Sequence, residues 1–79
     1  MRVIGEIQHP HCKITLFNWN NRYLVKLEQG PLEQTFKINQ YDLSGEADLQ
    51  SVVNPAFINE ALTRFAAMEA SLHKALSDL

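Results

Sequence analysis

The sequence predicts an α+β fold: a four-stranded antiparallel meander, a short helix or turn, and one long C-terminal helix packed on one face of the sheet. Three observations carry this. Asn20-Asn21 sits between two alternating runs and suits a two-residue type I′ loop, because Asn tolerates positive φ. Gly30-Pro31 ends the next run and keeps the same side-chain parity. Asn54-Pro55 then opens a stretch to about Asp78 with no Gly and no second Pro.

The first turn sets a register. Pairing outward from Trp19–Arg22 puts Asn18 opposite Tyr23, Leu16 opposite Val25 and Ile14 opposite Leu27 on one face. Trp19–Arg22, Phe17–Leu24, Thr15–Lys26 and Lys13–Glu28 then share the other face. Across Gly30-Pro31, Glu28 pairs with Glu33, Val25 with Phe36 and Tyr23 with Ile38. Leu32, Phe36 and Ile38 join the core face, with Gln34 as its one polar member, expected at the sheet margin. Upstream, Val3 to Ile7 reads as a first strand turning at His9-Pro10. Pairing Ile7 with Cys12 places Val3 opposite Leu16, and it predicts an exposed Glu6–Lys13–Glu28 charge ladder.

Beyond Asn39 the period changes. Asp42-Leu43-Ser44-Gly45 predicts a turn, with Ser44 or Asp42 capping a short helix from Glu46 to about Val53. From Asn54 onward Ile58, Phe65, Leu72 and Leu79 recur every seven residues. Ala61, Met68 and Ala75 follow three residues after the first three of these, and Leu62 and Leu76 widen the stripe. The chain is read as a single domain: residues 1–40 sheet, 41–54 connection with a short helix, 55–79 long amphipathic helix.

Size bears on association. A domain of 79 residues buries a low fraction of its surface, and with Cys12 as the lone cysteine it has no internal disulfide. A helix of that extent runs about 36 Å, whereas strands of seven or eight residues span about 25 Å. The stripe therefore continues past the sheet, and a homodimer is expected with Phe65, Met68, Leu72, Leu76 and Leu79 as its seam.

Net charge is −2, divided unevenly: residues 1–40 hold five basic and three acidic side chains, residues 41–79 two basic and six acidic. No apolar run approaches the roughly 20 residues that span a bilayer, and the N-terminus lacks the pattern of a signal peptide. A soluble cytoplasmic protein with no membrane partner is expected, and the single thiol suits a reducing compartment.

Candidate chemistry is sparse. His9, His11 and Cys12 offer imidazole and thiolate, but one tight turn does not match zinc's usual spacing and no fourth ligand follows. A polar turn with Cys12 pointing into the core is the favoured account. His73, beside Lys74 near a helix C-terminus and opposite the apolar stripe, suits solvation or interaction with the helix dipole. Glu60 and Arg64 are spaced for an i,i+4 ion pair. Asp42, Glu46 and Asp48 lack the alternating ligands of a calcium loop. Gly5, Gly30 and Gly45 are isolated, so no phosphate-binding glycine loop is present. No catalytic residue, metal or cofactor is expected.

What remains is the outer sheet face, where Phe17, Trp19 and Leu24 lie among Arg22, Lys26 and Lys37. Aromatics with cations are the parts of a single-strand nucleic-acid surface. Glu28 and Glu33 interrupt the cations, and Trp19 with Arg22 also suits a simple cross-strand cation–π pair. The element order β-β-β-β-α resembles that of Whirly, Pur-alpha and related single-strand-binding coactivator domains, with no motif of those families matched residue by residue. The leading expectation is a small non-enzymatic homo-oligomeric protein-interaction module whose partner protein meets Phe17, Trp19 and Leu24. The alternative is single-stranded nucleic acid on the same face, with Arg22, Lys26 and Lys37 on phosphates.

Overall fold

The computed structural model describes all 79 residues. Four antiparallel strands form an open sheet in the order β1-β2-β3-β4. They are β1 (Arg2–Ile7), β2 (Lys13–Trp19), β3 (Arg22–Gln29) and β4 (Leu32–Asn39). A 3-10 turn (Gln40–Asp42), a short helix α1 (Glu46–Val52) and a long helix α2 (Pro55–Ser77) follow.

The two tight turns behave as their residues require. Asn20 and Asn21 take φ of 53° and 63°, the double left-handed conformation of a type I′ loop. Gly30 takes φ 57°, with Pro31 following it. Between them they produce the expected pairing throughout β2-β3-β4, from Lys13 opposite Glu28 to Arg22 opposite Asn39. Ile14, Leu16, Val25 and Leu27 are consequently buried on one face.

The first strand departs from expectation. Ile7 pairs with Ile14, Glu6 with Thr15 and Gly5 with Leu16, two residues away from the Ile7–Cys12 alignment. The His9-Pro10 connection is therefore wider than a tight hairpin. His11 N–H donates to His9 Nδ1 at 3.1 Å, and Gln29 Nε2 donates to the His11 carbonyl at 3.0 Å, tying the loop to the end of β3. A bulge between Val3 and Gly5 then changes parity. Gly5 has no side chain to fill the inner position opposite Leu16, and Ile4 packs against the core. Val3 falls opposite Phe17 and is exposed. The Glu6–Lys13–Glu28 ladder does not form. Lys26 instead lies 3.9 Å from Glu28 and 3.6 Å from Glu33.

The helix caps divide into one success and one correction. Asn54 Oδ1 accepts from Phe57 N–H at 2.9 Å with Pro55 at the first helical position, as expected. At α1, Gly45 is the N-cap and neither Ser44 nor Asp42 caps with its side chain. Asp48 reaches back to accept from Ser44 N–H at 2.7 Å, which places a carboxylate against the positive end of the helix. The 3-10 turn, which the sequence pattern does not reveal, is held by Asn39 Oδ1 accepting from Tyr41 N–H at 3.0 Å.

Both helices close the core. Leu49 and Val53 from the α1 region and Ile58, Ala61 and Phe65 from α2 are buried with the inner sheet residues and Cys12. Arg2 Nη2 reaches Glu46 at 2.8 Å, joining β1 to α1. At the other edge Gln34 acts as a clasp: its Nε2 donates to the Ala61 carbonyl at 2.8 Å, and its Oε1 accepts from Arg64 Nε at 2.9 Å. Arg64 also lies over the Phe36 ring, 5.8 Å from its centroid, and makes no ion pair with Glu60. A local helix pair is worth only about 0.2–0.5 kcal/mol, less than a charge-assisted hydrogen bond together with a ring contact. Phe36 meets Phe57 edge-on at 5.1 Å, completing the seam between β4 and α2. No helix is long and apolar enough to cross a membrane.

The clasp gives a direct prediction. Gln34→Ala removes both bonds between β4 and α2, and is expected to cost about 1–3 kcal/mol, seen as a lower urea midpoint. An unchanged midpoint would show that apolar burial alone seats the helix.

Candidate functional site

Two surfaces carry the side chains singled out by the sequence: the outer sheet face and the end of α2. On the outer face the strand register places Phe17, Trp19, Leu24, Lys26 and Lys37 on one side, with Arg22 beside Trp19 at the hairpin tip. Leu24 and Thr15 are buried even though nothing covers this side of the sheet. Met1, Phe17, Leu24, Lys26, Glu33 and Thr35 line a shallow cleft of about 200 Å³, so neighbouring side chains close over the centre. Leu24 thus forms the floor of the cleft and offers little area to a partner. Phe17 is half-buried.

Trp19 is the exposed aromatic here, at 43% of its surface. Arg22 does not cover it; the one cation over a ring in the protein is Arg64 on Phe36. The cations are also fewer than the sequence suggests. Lys26 is held between Glu28 and Glu33, and Arg2 is engaged by Glu46. Arg22 and Lys37 remain unpaired near the tip, with Lys13 far along the strand, so the face carries no continuous basic track.

The end of α2 is the second surface. Phe65 is wholly buried beneath its own sheet and has no surface to give to a seam between chains. Met68 is half-buried. Leu72, Leu76 and Leu79 are 40%, 58% and 100% exposed, so apolar exposure rises steadily toward the C-terminus. Shallow grooves flank this ridge. Ala66, Ala70 and His73 lie on one side, and Leu32, Ala67, Ser71 and Ala75 on the other. His73 accordingly borders Leu72 and Leu76 rather than standing opposite the apolar stripe. Glu69 lines the same groove one turn before it.

The His9–His11 turn is a third place with polar chemistry. The two imidazoles lie 5.7 Å apart and tilted by 59°, while Cys12 points away into the core. No three His, Cys, Asp or Glu side chains cluster closely enough to share a metal ion. Burial pushes the Cys12 thiol above its ordinary pKa by desolving the thiolate.

Sequence reasoning missed the joint role of Gln34 and Arg64, and the place of Met1 in the lining of the cleft. The inward parity of a lone Gln on β4 was the available signal for the first; nothing local marks the second.

The thiol shift has two consequences. Cys12 is expected to react slowly with an aromatic disulfide reagent at neutral pH and rapidly in urea. Because the folded pKa lies above the unfolded one, its contribution to stability is present below the ordinary thiol range and is lost as pH rises through the folded value. The urea midpoint should fall more steeply in alkali for the native chain than for Cys12→Ala; parallel pH profiles would contradict this.

Comparison of the chain with protein-family models, with curated proteins and with solved structures returned no match.

Proposed function

We propose that this chain is a small non-enzymatic homo-oligomeric module whose work is contact with other proteins. The observation that supports it is the graded exposure of Leu72, Leu76 and Leu79 on a helix that outruns its sheet. At 23 residues α2 is about 35 Å long, against about 26 Å for an eight-residue strand. Its last turns have no sheet beneath them, and a second copy of the same ridge is their simplest cover. Met68, Leu72, Leu76 and Leu79 form the dimer seam in this reading, without Phe65. Trp19, Phe17 and Arg22 at the hairpin tip are the contact for a partner protein. A reducing, cytoplasmic setting goes with the single thiol, which is buried and free.

Sedimentation velocity at tens of micromolar tests the seam. The native chain should sediment as a dimer, and Leu72→Glu with Leu76→Glu should shift the equilibrium toward monomer with an unchanged circular dichroism spectrum. A native monomer at that concentration overturns the reading.

A second reading, single-stranded nucleic acid on the outer face, is favoured by one observation: the exposed Trp19 ring has no cation over it within the chain. Titrating Trp19 fluorescence with an oligonucleotide at low salt decides between them. Quenching that added salt reverses supports nucleic acid; no change up to high micromolar oligonucleotide removes it.

A further inference from the structure

The two edges of the sheet are unlike. β1 is six residues long and broken by the bulge between Val3 and Gly5, which twists an edge away from straight pairing. β4 has eight residues, no bulge and no internal proline, and it pairs with β3 along its whole length. Backbone bonding alternates along an antiparallel ladder. Gln40 N–H donates to the Asn21 carbonyl at 3.1 Å, extending that ladder by one pair beyond Arg22 and Asn39. Counting back in steps of two, Ile38, Phe36, Gln34 and Leu32 turn their backbone groups to β3. Glu33, Thr35 and Lys37 turn theirs outward, and no side chain bonds to them.

We propose that this free edge of β4 adds to the β4 edge of a second copy of the same chain, making one continuous eight-stranded antiparallel sheet. The side chains supply a register. With Thr35 opposite Thr35 of the second copy, Glu33 falls opposite Lys37 of that copy, and Lys37 opposite its Glu33. The outward-turned backbone groups of residues 33, 35 and 37 then meet their counterparts, giving six backbone hydrogen bonds. On the inner face the same alignment sets Leu32 opposite Ile38 of the other chain, both half-buried apolar side chains in one subunit. Opposite charges two residues either side of a central Thr are self-complementary in antiparallel pairing and in no other orientation. Glu33, with 56% of its side chain exposed, has room for a second cation beside Lys26, and Lys37 has no ion pair of its own.

This rests on the homo-oligomeric reading only in requiring that copies associate; its surface is distinct from the helix seam. The test joins sedimentation to amide hydrogen exchange of the intact chain. If β4 edges pair, the amides of Glu33, Thr35 and Lys37 exchange at least about tenfold more slowly at concentrations where the dimer forms than after dilution to monomer. A dimer in which these three amides keep their monomer rates overturns the proposal and leaves the helix seam standing. A monomer at every concentration overturns both. Three variants guard the inference. Lys37→Glu puts like charges across the register and should abolish this pairing, and adding Glu33→Lys should restore it. Thr35→Pro removes an outward N–H and no internal ladder bond, so a folded Thr35→Pro chain should also lose the pairing. Retention of dimer amide protection at 33 and 37 in Lys37→Glu contradicts the stated register.

Discussion

Side chains along a strand alternate with period two, so a one-residue slip at either tight hairpin would carry an entire apolar set to the wrong side of the sheet. The way the layers of this protein pack depends on that parity. Asn20 and Asn21 in left-handed conformation, and Gly30 in the next turn, hold β2, β3 and β4 in one register. The shared inner face supplies Ile14, Leu16, Val25 and Leu27, which are fully buried. That face gives the two helices something to cover, and it leaves Trp19, Arg22 and Lys37 on the far side.

Coverage is uneven. Only 13 of 79 residues are buried, so the core is small and each junction between layers counts. The Gln34 clasp, the Arg64 stack on Phe36 and the Phe36–Phe57 contact fix where α2 crosses β4. Arg2 and Glu46 tie the opposite edge to α1. Fixed in that way, α2 covers the sheet with Ile58, Ala61 and Phe65 and then runs on beyond it. The exposed leucines follow from a sheet too short for its helix.

Features governed by local chemistry were legible in the sequence. Asn-Asn and Gly-Pro fix turn dihedrals, and Asn-Pro fixes a helix start, whatever surrounds them. Features decided by competition between distant groups were not. The offset of β1 depends on how Gln29 holds the His11 carbonyl and on the space left inside Gly5, neither visible in the first nine residues. Arg64 had a partner at helical spacing in Glu60 and a better one across the fold in Gln34. Face assignment also says nothing of coverage: Leu24 lies on the outer side yet is closed over, and Phe65 sits in the stripe yet is used up by its own sheet. The exposed end of α2 was legible because it follows from lengths alone. The free edge of β4 becomes evident only once β1 is known to be bulged and β4 straight.

A fold whose longest helix is only partly covered gains stability when a second copy covers the rest, by simple mass action. The dependence of Tm on protein concentration measures that linkage without labels or variants. Between about 1 and several hundred micromolar, Tm is predicted to rise by several degrees, since association stabilises by RT times the logarithm of one plus the ratio of free chain concentration to Kd. A Tm that stays constant over the whole range would contradict the account, showing that one chain is complete as it stands.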